Sequence, residues 1–167
     1  MSVTFKGSPA SFVGKQLNVG DNAPQVSLTD KDLNPIVVGG AQGKKQIISV
    51  VPSLDTGVCQ VQAKHFNKEV ASLQNTVVYV VSMDLPFGAK RFCEVEDVHN
   101  VVVASDFTDK NFGKEYGLLL ANTPLKGLLT RAVIVVDTNG KIVYQEICSE
   151  ITNEPDYQSA LNAAKSV

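Results

Sequence analysis

The chain has 167 residues, 44% hydrophobic and 19% charged, with a formal net charge of −2. That length and composition suit one globular domain over residues 1–167 and exclude a disordered chain. No long basic run occurs, so neither a nucleic acid nor a membrane surface is expected as a partner. The longest apolar runs, VVYVV and AVIVV, are far too short to span a bilayer. The opening MSVTFKGSPASFVG lacks the basic start and continuous apolar stretch of a secretory leader, so a cytoplasmic protein is expected. Three cysteines, Cys59, Cys93 and Cys148, stand far apart with no C-x-x-C. This argues against a disulfide scaffold, a zinc knuckle or a local dithiol, and leaves packed thiols or redox groups.

In chain order, SVTFKG and ASFVG read as a hairpin about Ser8-Pro9. APQVSLTDKDLNPIVVGG reads as a second strand pair with Asp30, Asp32 and Asn34 in its turn. KQIISVVP is a nearly continuous β-branched run, the mark of a central strand covered on both faces, ended by Pro52. A helix is predicted from Thr56 to about Leu73, with Val58, Val61, Phe66, Val70 and Leu73 on its apolar side. TVVYVVSMD is another buried strand. PFGAKRFCEVEDV opens a helix on proline, VVVASD is a short strand, and DKNFGKEYG is a short helix closed by Gly117. RAVIVVDTNGKIVYQEI is a hairpin signalled by Asn139-Gly140, and EPDYQSALNAAKSV closes the chain as a helix. Strand–helix alternation implies a mostly parallel central sheet with helices on its faces. The closing antiparallel hairpin and last helix are the ending of a thioredoxin-like α/β fold.

In such sheets chemistry gathers at the carboxyl ends of strands, where PSLDTGVC lies. With Asp55 or Thr56 as cap, Cys59 falls in the first helical turn. Backbone N–H groups there lack helical partners and the macrodipole is positive, a setting that favours a thiolate. Thr56 and Cys59, three apart, share a face, and the threonine hydroxyl is placed to donate to the sulfur or to a substrate oxygen. A lone cysteine, however, is often only a small buried core residue, and spacing leaves both readings open. Arginine is rare: Arg131 enters a strongly apolar strand, where a charge needs a partner, or else marks a strand end in solvent. His65, six residues past Cys59, lies about 240° round the helix and cannot pair with it locally. His99 reads as a turn residue.

PSLDTGVC fits P-x-x-x-T-x-x-C, and together with SMDLPFGAKRFC and PLKGLLTRAVIVVD it resembles the bacterial thiol peroxidase branch of the peroxiredoxins, an atypical two-cysteine type. The resemblance covers essentially the whole chain. It implies a thioredoxin-like fold, a central mixed sheet flanked by helices, with an added N-terminal hairpin. It also implies that Cys59 is the peroxidatic cysteine and Cys93 the resolving one, joined as a disulfide in the cycle. By the same resemblance Thr56 and Arg131 hydrogen-bond peroxide and thiolate, and Pro52 shields the sulfur. The implied activity is reduction of hydrogen peroxide and alkyl hydroperoxides by a homodimer, with thioredoxin as reductant and no metal, haem or flavin. The family scheme does not need Cys148, which alternates with apolar residues and reads as a packed thiol.

Overall fold

The computed structural model describes residues 2–167; Met1, first residue of the opening segment read above, lies outside the described residues. In chain order the strands are β1 (Thr4–Phe5), β2 (Ser8–Pro9), β3 (Phe12–Val13), β4 (Val26–Asp30), β5 (Pro35–Val38), β6 (Lys45–Val50), β7 (Thr76–Ser82), β8 (Val102–Ser105), β9 (Leu119–Leu120), β10 (Ala132–Val136) and β11 (Ile142–Ile147). The helices are α1 (Gly57–Glu69), α2 (Pro86–Val95), α3 (Asn111–Glu115) and α4 (Tyr157–Lys165). Seven strands form one mixed sheet in the order β11-β10-β6-β7-β8-β4-β5, the thioredoxin-like α/β arrangement. Among the described residues, β6–β7 and β7–β8 are the parallel pairs of this sheet. The expectation of a mostly parallel sheet is therefore corrected: alternation with helices constrains only those three strands. The β4–β5 hairpin docks antiparallel on β8, and β10 lies antiparallel on β6.

The N-terminal hairpin is present, but its turn is Lys6-Gly7, both at positive φ (49° and 81°). That mirror-image turn matches the twist of paired strands. Ser8 and Pro9, read as the turn from sequence, are its second strand, and Phe12–Val13 leaves to pair with β9. The β10–β11 connection also differs from a two-residue turn. The Asp137 carboxylate accepts the N–H groups of Asn139 and Lys141, and Gly140 takes a φ of 83°.

Period-two alternation splits the core into two layers. Ile48 and Val50 of β6 face the side that also holds Phe112 and Tyr116, while Ile47 faces the side holding Cys59, Phe66, Phe92, Cys93 and Leu161, contributed by α1, α2 and α4. The apolar stripe predicted for α1 holds at Phe66, with Val70 and Leu73 packed against the same core, and needs correction at Val61, which is 48% exposed. The buried residues of α1 are Cys59, Gln62, Ala63 and Phe66. The helix is turned so that Cys59 and Gln62, three apart on one face, point inward. A buried glutamine is tolerated only because it finds polar partners there. The last helix is held at both ends. Asp156 accepts the Ser159 N–H at its start, and Lys45 Nζ donates to the Ala164 carbonyl at its end (2.7 Å), a cation meeting the negative helix terminus. Among the described residues no helix is long and apolar enough to cross a membrane.

Candidate functional site

β6 ends against its parallel neighbour, with the Val51 N–H donating to the Val81 carbonyl (3.0 Å). The chain then passes through buried Pro52 and turns into α1. Thr56 holds the N-cap position in extended backbone geometry, which makes Cys59 the third helical residue. The hydroxyl does not cap the helix; it donates to the Ser53 carbonyl (3.2 Å). The first turn carries no acidic side chain and no side-chain cap. The partial positive charge of the helix start is thus left to whatever stands within the turn.

Arg131 stands immediately before β10 and is 3% exposed. Its Nη2 donates to Cys59 Sγ at 3.2 Å, its Nη1 to Gln62 Oε1 at 3.0 Å, and its Nε to the Ile151 carbonyl at 2.7 Å. Among the described residues no carboxylate lies within ion-pair distance of it. A buried cation with only neutral oxygens around it is costly. The facing group able to take a negative charge is the Cys59 sulfur. Of the two sequence readings of Arg131, the structure shows the buried one.

Gln62 holds this arrangement in place. Its Nε2 donates to Ser49 Oγ at 2.8 Å, which leaves Oε1 turned to the guanidinium. Ser49 points there from the middle of the apolar β6 run and is fully buried. Neither residue stood out in the sequence. The available signal was a glutamine three residues after Cys59, one helical turn on and so on the same face. The Ile151 carbonyl had no sequence signal, since any residue supplies one.

Cys59 is wholly buried, and Cys93, inside α2, is 1% exposed. Both belong to the core layer between sheet and helices, with Leu54, Ala89 and Phe92. All three cysteines are free thiols. Burial pushes the Cys93 thiol up from its ordinary value. A cleft of about 360 Å³ opens between the start of α1 and α2, lined by Leu54, Gln60, Leu85, Arg91, Phe92 and Val95 among others. Cys148 is 4% exposed, and burial, with the Glu146 carboxylate next, pushes its thiol up to about 12. The histidines stand apart from this site. His65 stacks on Tyr157 (centroids 4.0 Å, 15°), and His99 pairs with Asp97 at 3.0 Å on the surface.

The Redoxin family model matches residues 18–161 of this chain. A thiol peroxidase of Streptococcus pneumoniae is 48% identical over 165 residues, covering 99% of each chain. A thiol peroxidase of Campylobacter jejuni is 52% identical over 154 residues, covering 92% of this chain and 87% of its own. Among solved structures, a peroxiredoxin-like protein from Aquifex aeolicus superimposes with a TM-score of 0.95 at 47% identity, over 99% of this chain and 96% of that one.

Proposed function

We propose, from the premise that this chain belongs to the Redoxin family and is a thiol peroxidase of peroxiredoxin type, that Cys59 attacks the peroxide. The observation that carries this reading is the buried Arg131 guanidinium, 3.2 Å from Cys59 Sγ with no carboxylate to neutralise it. The Cys59 thiolate takes one oxygen of a hydroperoxide, the O–O bond breaks, and the other oxygen leaves with a proton as water or alcohol. The Cys59 sulfenic acid then condenses with the Cys93 thiol, releasing water and forming an intramolecular disulfide. Thioredoxin reduces that disulfide by thiol exchange. Pro52 screens the sulfur from water. The protein works in the cytoplasm as a homodimer, the latter a form the family resemblance implies.

Ionisation alone does not make a fast peroxidase. An ordinary thiol is a few per cent ionised at pH 7, so complete ionisation gains at most roughly 30-fold, about 2 kcal/mol. A less basic thiolate is also a weaker nucleophile. The larger contribution comes from fixed polar groups where charge develops on the peroxide oxygens. Arg131 supplies N–H donors. The Thr56 hydroxyl has one hydrogen, and a carbonyl can only accept. With that hydrogen on Ser53, Thr56 meets the peroxide as an acceptor for its O–H, rather than as the donor expected from sequence.

The test couples turnover to NADPH oxidation through thioredoxin and its reductase. Turnover should vanish in Cys59→Ser. Cys93→Ser should allow one oxidation of Cys59 but no thioredoxin-driven recycling. Steady turnover in Cys59→Ser overturns the reading.

A further inference from the structure

Asp84 lies in the loop between β7 and α2, well away in sequence from the turn that carries Thr56. Its carboxylate nonetheless accepts three hydrogen bonds, two of them from that turn. Oδ1 takes the Ser53 hydroxyl (2.7 Å), and Oδ2 takes the Leu54 N–H (2.6 Å) and the Ser82 hydroxyl (2.9 Å). The loop is itself anchored. The Asp84 N–H donates to Ser82 Oγ (3.1 Å), and its carbonyl accepts the Ser105 hydroxyl from β8. Among the described residues no cation pairs with this carboxylate.

We propose that Asp84 is a positioning residue for the peroxide step, acting through Ser53 on Thr56. An ionised carboxylate only accepts, so the Ser53 hydroxyl must give it its hydrogen. The Ser53 oxygen is then free to accept, and it takes the Asp55 N–H (3.1 Å). Those two bonds hold Ser53 by its side chain. Its carbonyl is thereby held where it takes the Thr56 hydroxyl hydrogen (3.2 Å). The relay leaves the Thr56 oxygen lone pairs presented outward, with the rotor fixed before substrate arrives. Ordered bonds to a charged acceptor are the stronger kind, and they suit a group whose task is to hold direction. The same carboxylate stands one residue before Leu85, the N-cap of α2, so it also ties the turn of Cys59 to the root of the helix bearing Cys93.

The inference rests on the role proposed for Thr56, and its test separates the two. The chain has no tryptophan, so Cys59 oxidation is followed by rapid quench with hydrogen peroxide, alkylation and mass spectrometry. Thr56→Val should slow oxidation. Asp84→Asn keeps the shape but turns an N–H₂ toward a donor, and should slow it about ten- to a hundredfold, by analogy with the loss seen when the hydrogen-bond partner orienting a metal-ligating side chain is removed. Alkylation of Cys59 by iodoacetamide should change little in Asp84→Asn, because the peroxide contact is not involved. The double variant should be no slower than Thr56→Val alone, since both changes break one relay. If Asp84→Asn leaves oxidation at the original rate, or the two losses multiply, the relay is overturned while the peroxidase reading stands. If Thr56→Val oxidises at the original rate, the Thr56 role falls and the relay with it. Should Asp84→Asn fail to fold, Ser53→Ala removes only the relaying hydroxyl, and the same comparison with Thr56→Val decides the matter.

Discussion

Arg131→Met separates the two things a guanidinium can do for a sulfur. The change removes three hydrogen bonds, to Cys59, Gln62 and Ile151, from a side chain only 3% exposed. At the observed 3.2 Å, Coulomb attraction with an effective dielectric near 20 is about 5 kcal/mol before desolvation of either group is charged against it. A buried donor to developing negative charge costs about 2.7–4 kcal/mol when removed, or 10²–10³ in rate. At most about 2 kcal/mol of that can be lost thiolate at pH 7. The expected outcome is a 10²–10³-fold slower oxidation of Cys59 by hydrogen peroxide, with a loss of at most about 30-fold toward iodoacetamide, which reads thiolate only. Both rates are measured by rapid quench at neutral pH. Equal losses toward both reagents would refute the claim that Arg131 acts on the peroxide.

Gln62→Leu leaves a buried Arg131 N–H and the Ser49 hydroxyl without their partner, so it should destabilise by about 1–3 kcal/mol and lower the thermal midpoint by several degrees. Calorimetry beside the oxidation rate checks both effects. Gly88 lies within α2 with a helical φ and open space where a Cβ would stand. Gly88→Ala should therefore stabilise the helix by about 0.5–1 kcal/mol without a clash. If α2 must partly unwind for Cys93 to come within disulfide reach, the same change slows disulfide formation and leaves the first oxidation of Cys59 unaltered. For Cys148 the folded thiol is raised from 9.0 to about 12, so the folded state binds more protons than the unfolded one in that window. Its stability contribution is complete below about pH 9 and is lost as pH rises toward 12. Urea midpoints should fall more steeply over this range in the unaltered protein than in Cys148→Ala, while peroxidase turnover at neutral pH stays the same.

Most of the strands and helices, and the place of the reactive turn, were legible in the amino-acid sequence. These are local matters. β-branched runs mark buried strands, Pro86 and Gly117 mark helix ends, and a strand running into PSLDTGVC puts Cys59 in a first helical turn wherever that helix packs. Local chemistry singled out Thr56 and Arg131 as candidates, and the family resemblance added Cys93 and Pro52. Tertiary structure decided what local rules cannot. Sheet direction at β4 and β10 depended on docking partners rather than on connection length, and the N-terminal hairpin shifted its turn because Lys6-Gly7 accepts positive φ. The rotation of α1 kept Phe66 of the predicted stripe buried but left Val61 in solvent, and it turned Gln62 inward, where Arg131 and Ser49 face it. Those partners stand 69 and 13 residues away. The direction of the Thr56 hydroxyl was likewise set by a carbonyl and a distant carboxylate. A donor–acceptor relation between such groups is a property of their positions in space, and residue types alone do not carry it.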